Sequence, residues 1–385
     1  MSDKLEKAPG RSVGRHDSTL RPRGRRFDLD ALKALGCLLV VAYHFHALQT
    51  ASRLSWAFGQ YVDSALAVCV PLFFLVNGCL WARKDRVKLG DHLRGLGVIV
   101  LIATIWALID SFLFHASRQD GATWSVLADA LLLKQGVSNT LWFFQAFFVV
   151  QLWVPLVLFV RRKSEPAFAA LVLGVCVVAF GLDALGRVLA VLSGAGVSMA
   201  HAAASYVNGY NPLRYGYDLA YFLVGMLLWE GVPKALEQGA PRLARLADRP
   251  LPLVVLALAG PLVITVEQVA LARLGAKVPY ATYDGFGCVG TFVTVVALYL
   301  LLRGRTAPVW VVRVCTLVGA NSMSVYLLHV PLLALFWGRL HVAEGLPWVA
   351  QIVANMAVCV VLVLGCALAG SWLRRIPVLG HLFRL

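Results

Sequence analysis

A histidine, His44, falls within the first apolar segment of this chain, Ala31 to Leu48, and a lysine, Lys33, stands eleven residues before it. Hydrocarbon is a costly place for an ionisable side chain, so such residues mark a cavity, a pathway or a site. On a helix, eleven residues end roughly 20° past three full turns. Lys33 and His44 therefore share one face, roughly 16 Å apart along the axis. An imidazole can take a proton from a hydroxyl and return it to a leaving group. A lysine can hold a phosphate or carboxylate. The rival role for His44 is a hydrogen bond between helices, and for Lys33 an interfacial position with its stem on apolar surface.

Other polar residues punctuate the apolar segments. Asp28 and Asp30 precede Lys33, and Asp30 is spaced to pair with it. His329 follows Tyr326 by three residues, so the two share a helix face. Pro331 removes a backbone donor and predicts a kink beside that histidine. Asn77 needs a partner in hydrocarbon, and Pro71 and Gly78 bracket a deformable stretch around it. Trp142 and Gln145 lie in the polar and aromatic opening of another segment, where Trp142 also suits an interfacial belt. Asp183 and Arg187, four apart, are spaced to neutralise each other, while Asp110, Asp218 and Glu267 are the remaining charges at or within these segments.

The elements that must position these residues follow from composition. The chain has 385 residues, 59% hydrophobic and 14% charged. A soluble domain carries about 25% charged residues, so this is a polytopic membrane protein. Ten apolar stretches approach the ~20 residues that cross a bilayer. They run over 31–48, 64–82, 95–115, 139–160, 167–192, 215–231, 251–271, 285–302, 315–337 and 347–370. None alternates as a barrel strand does, so the fold class is all-α.

The net charge of +15 invites nucleic acid, but its distribution argues against that partner. Most of the 35 basic residues fall in one set of alternate connections, including Arg83, Lys84, Arg86 and Arg94. This positive-inside bias places both termini in the cytoplasm and gives an inner surface that attracts anionic lipid or an anionic cofactor. Residues 1–26 read as a solvated, disordered basic tail, without an apolar run or a cleavable signal, and 27–385 as one membrane domain. The largest outer segment, Ser193 to Arg214, reads as a solvated connector, or as a sugar-binding loop built from its aromatic and amide side chains. The eight cysteines sit in or beside apolar segments without a CxxC pair, as packing residues, and no metal site is expected. Phosphate-loop, zinc-helix and nucleophile-elbow motifs are absent from the sequence.

Five segments carry a family resemblance in order. Phe27 to Lys33 followed by Val40-Val-Ala-Tyr-His44 resembles the opening helix of acyltransferase family 3, where an arginine stands eleven before a histidine. Pro71-Leu-Phe-Phe-Leu-Val-Asn77-Gly78 is similar to its "PxFFxxSG" helix, and Leu141-Trp142-Phe143 to its "HLWF" segment. Tyr221-Phe222-Leu-Val-Gly225 resembles "YFxxG", and Ser324-Val-Tyr326-Leu-Leu-His329-Val-Pro331 resembles "SxxxYLxHxP". The similarity runs from Phe27 to His381. Here Lys33 replaces the arginine, Asn77 the usual serine, and Thr140 a residue that is often histidine, while paired arginines of the third helix are represented by Arg94 alone.

The resemblance implies an inner-membrane O-acyltransferase that moves acetyl from acetyl-CoA to a sugar hydroxyl of a surface polysaccharide or its lipid-linked precursor. His44 would then be base or transient acyl carrier, with His329 and Tyr326 orienting substrate or stabilising the oxyanion. Lys33, Arg83, Lys84, Arg86 and Arg94 would hold the CoA phosphates. Asp30, Asn77, Trp142 and Gln145 would line the substrate. Succinyl transfer to a glucan keeps the same machinery. A transporter or flippase for a lipid-linked sugar is the reading from a different class, with His44, Lys33 and Glu267 as ion-coupling groups.

Overall fold

A computed structural model describes residues 25–45, 56–84, 86–118, 142–210, 216–237, 249–275, 285–340 and 346–377. Among these residues the secondary structure is helical, with no strand. The helices are α1 (Phe27–His44), α2 (Trp56–Leu66), α3 (Cys69–Trp81), α4 (Leu89–Arg118), α5 (Trp142–Lys163), α6 (Glu165–Cys176) and α7 (Leu182–Gly194). They continue as α8 (Ser198–Tyr210), α9 (Tyr217–Glu237), α10 (Pro250–Arg273), α11 (Val289–Leu302), α12 (Val309–Ala320), α13 (Ser322–Leu340) and α14 (Trp348–Leu373). A π-helical turn, Val177–Gly181, joins α6 to α7. Six spans are long and apolar enough to cross a membrane, or seven if the bent pair α12–α13 counts as one. Among the described residues each of the ten apolar stretches nevertheless contains helix, and α1 falls outside the six because Asp28, Asp30 and Lys33 lie within its 18 residues.

Several boundaries differ from the sequence expectation, each with a local cause. The second stretch is two helices, broken at Ala67–Val68. Pro71 lacks the N–H that the Ala67 carbonyl would have accepted, so the helix restarts there. The ninth stretch bends by 75° between α12 and α13, at Asn321, whereas α13 runs through Pro331 as a helix. Asn321 draws its own side-chain N–H onto the Leu317 carbonyl at 2.8 Å. The Arg374 guanidinium takes the Ala320 carbonyl at 2.8 Å. Both groups cap a helix end. His44 is the last residue of α1. The outer connector contains α8, which packs on α7 and leaves Tyr206 exposed.

Glycines set how closely the central helices approach. A Cβ on Gly78 of α3 would lie 1.9 Å from the Phe222 carbonyl oxygen of α9, and one on Gly225 would lie 2.0 Å from the Leu75 oxygen. Backbones this close are a small-residue device of membrane helix pairs. The Cys79 thiol donates to the Gly225 carbonyl at 3.3 Å in the same crossing. All eight cysteines are unbridged. Gly304, at φ 68°, turns the chain after α11 and offers its N–H to Asp28 at 3.2 Å, tying that turn to the start of α1. The core built around α3 and α9 buries Tyr221, Phe222 and Phe74 completely.

Candidate active site

Three of the residues singled out in the sequence converge. The imidazole rings of His44 at the end of α1 and His329 within α13 lie 5.2 Å apart, centroid to centroid. Tyr326, one turn before His329, has its ring centroid 6.3 Å away. The Tyr326 ring leans on Phe143 and Phe144 of α5, at 5.1 and 5.5 Å. The pair therefore sits where α1, α13 and α5 meet.

The orientation of His329 is fixed by its own helix. Its Nδ1 approaches the carbonyls of Val325 at 2.9 Å and Tyr326 at 2.8 Å. Carbonyl oxygens only accept, so Nδ1 carries the proton, and in the neutral ring Nε2 keeps the lone pair. That Nε2 is buried and has no hydrogen-bond partner among the described residues. A buried nitrogen left unsatisfied in this way costs free energy unless a ligand completes it.

Lys33 lies below the histidines on the same continuous helix, roughly 16 Å away along the axis. No hydrogen bond or ion pair engages its ammonium among the described residues; its charged neighbours are Asp30, Arg25 and Arg374. Asp30 does not pair with Lys33. It is buried and accepts from Arg25, Nε to Oδ2 at 3.1 Å, and it packs against Gly319 of α12. Arg26 holds Asp28 in the same manner, at 3.0 Å through Nε. The sequence put both arginines in the tail; here they fasten the first turn of α1, where carboxylates also suit the helix dipole.

Arg83, Lys84 and Arg86 are exposed on the α3–α4 connection, with Lys84 over the Trp81 ring at 4.2 Å, and Arg94 is exposed on α4. Asn77 is engaged by α5: its Oδ1 accepts from Gln151 Nε2 at 2.8 Å, and Gln151 Oε1 accepts from the Trp81 indole at 2.9 Å. Gln145 is half-buried on α5. Trp142 stacks on Phe286 with centroids 5.9 Å apart and planes 24° apart.

The sequence reading missed Gln151 and His92, although a signal was present. Pro155 of α5 has no N–H, which leaves the Gln151 carbonyl without its helical donor. His92 Nε2 fills that place from α4 at 2.9 Å. It also missed that Arg187 serves Glu267 at 3.1 Å as well as Asp183 at 2.6 Å.

The acyltransferase-domain family model matches residues 26–371, which include the three clustered residues, Lys33 and every helix from α1 to α13. No curated protein matches the chain. No solved structure matches it either.

Proposed function

Because the chain belongs to this acyltransferase family and is a polytopic helical membrane protein, we propose that it transfers an acetyl group from acetyl-CoA to a sugar hydroxyl. The acceptor is a surface polysaccharide or its lipid-linked precursor, and the setting is the inner membrane. The observation that carries the reading is the His44–His329 pair, with a buried Nε2 lacking a partner.

In this mechanism the thioester carbonyl lies beside the two imidazoles, within reach of both. One of them, His44, takes the proton from the acceptor hydroxyl as its oxygen attacks, and returns it to the departing CoA sulfur. His329, held by its Nδ1, offers the Nε2 lone pair to a donor on the substrate and so orients it, while Tyr326 stabilises charge on the carbonyl oxygen. Lys33 takes a CoA phosphate at the basic end, and the exposed Arg83, Lys84, Arg86 and Arg94 gather the anionic donor. Trp142 and Gln145 face the acceptor, while Asp30 and Asn77 fix the helices around it.

The test is mass spectrometry of surface glycans from three strains: gene deleted, wild type restored, and His44→Ala restored at equal protein level. A base-labile acetyl group that appears only with the wild type supports the reading. General-base loss predicts a fall of about 10²–10⁴ in rate. Acetylation by His44→Ala at the wild-type level removes the histidine from the chemistry. Addition of a succinyl group instead changes the donor and leaves the machinery in place.

A further inference from the structure

One buried polar group is used by neither the histidine pair nor the helix contacts described above. Asp218, in the first turn of α9, is 4% exposed, and its Oδ1 has no hydrogen-bond partner among the described residues. No lysine or arginine forms an ion pair with it among the described residues. Arg187, on α7, bonds Asp183 and Glu267. A carboxyl group withdrawn from water without a partner is costly, and membrane proteins retain such groups where a substrate meets them.

Its surroundings supply a second feature. Tyr217, the preceding residue, has its ring 5.8 Å from Phe286, and Phe286 in turn stacks on Trp142. Tyr221, on the Asp218 face of α9, donates its hydroxyl to the Phe286 carbonyl at 3.0 Å and so fixes that residue. The start of α5 links this group to the histidine pair. Phe143, the residue after Trp142, touches the Tyr326 ring, which neighbours His329.

Asp218 thus shares a helix face with the tyrosine that holds Phe286, and a carboxyl group on the same side of the fold as flat rings has two complementary preferences. The half-buried Trp142 ring, backed by Phe286, takes the C–H face of a pyranose, and the carboxyl group accepts from its hydroxyls. We infer that Asp218, Trp142 and Phe286 form the subsite that holds the acceptor sugar ring, with Asp218 accepting from hydroxyls other than the one acylated. This rests on the acyl-transfer reading above and adds to it the place and polar anchor of the acceptor.

The experiment uses full-length protein in permeabilised membranes of a gene-deleted strain. Acetyl-CoA is saturating, glycan extract from that same strain is the titrated acceptor, and released CoA thiol is the readout. For Asp218→Asn the extract needed for half-maximal rate rises at least tenfold, while the acetyl-CoA concentration for half-maximal rate stays at the wild-type value. Phe286→Leu and Trp142→Leu shift the extract dependence in the same direction, and Trp142→Phe, which keeps a stacking ring, shifts it less. An unchanged extract dependence in Asp218→Asn overturns the inference. So does a lowered melting temperature of the detergent-purified variant with unchanged extract dependence, which makes Asp218 a packing residue. A shift in donor dependence instead of extract dependence also overturns it. Absence of thiol release by the wild type overturns the acyl-transfer reading and the subsite together.

Discussion

Replacing Lys33 by glutamine removes the one cation that shares a helix face with His44, at a fixed distance set by eleven residues of continuous helix, roughly 16 Å. An extended pantetheine arm, equivalent to four or five residues of chain, spans about 14–18 Å. A phosphate held at Lys33 thus lets the thioester reach the histidines. A hydrogen bond to a charged group contributes about 1.5–3 kcal/mol. Its loss raises the acetyl-CoA concentration for half-maximal rate by about 10–150-fold. The assay is CoA-thiol release in membranes, repeated with acetyl-pantetheine, which has the arm and thioester but no phosphate. Lys33→Gln should leave the acetyl-pantetheine rate within about twofold of the wild type, since a site without a bound phosphate has lost nothing. Lys33→Arg, which restores the planar fork, should keep or improve donor affinity. Equal losses with both donors would refute the phosphate contact and make Lys33 a structural or proton-handling residue. No loss with either donor would refute any role in donor binding.

Two further predictions concern the scaffold. Gly225→Ala places a Cβ 2.0 Å from the Leu75 oxygen, where a contact of about 3.3 Å is needed, so α3 and α9 must separate. Overpacking of this kind costs about 1–3 kcal/mol or more, and the variant should accumulate poorly in membranes. Gly174→Ala, with nothing within 4 Å of the new atom, should accumulate normally. His92→Ala leaves the Gln151 carbonyl without a donor and should destabilise by about 1–3 kcal/mol, read as a lower melting temperature in detergent. Pro155→Ala in that background restores the helical N–H and should recover part of the loss; additive losses in the double variant would show that the bond is not the cause.

How much of this was legible beforehand depends on the range of the interaction. The helical class followed from run length and apolarity alone, since a backbone in hydrocarbon must bond to itself. The shared face of Lys33 and His44 followed from the helix period and is realised in α1. Asp183 and Arg187 were paired from their four-residue spacing, and they bond at 2.6 Å. Local reasoning failed where two local solutions competed. Asp30 could pair forwards with Lys33 or backwards with Arg25, and the chain entering α1 brings Arg25 onto it. The bend near His329 could fall at Pro331 or at Asn321. Proline in a packed helix forfeits one bond, whereas Asn321 has a side chain that caps α12 and an arginine on the preceding carbonyl, that of Ala320.

By itself, the sequence determined the membrane class, the bias of charge to one set of connections, the face that joins Lys33 to His44, and the five motifs that mark the family. Only the tertiary structure decided that His44 meets His329, that Gln151 takes up Asn77, that His92 answers for Pro155, and that Asp218 lies buried with its Oδ1 unpartnered among the described residues. The physical reason is the same in each case. Helical periodicity fixes which side chains share a face within one segment, but the choice of neighbouring helix depends on close packing between segments far apart in the chain, and that packing is set by all of their side chains together.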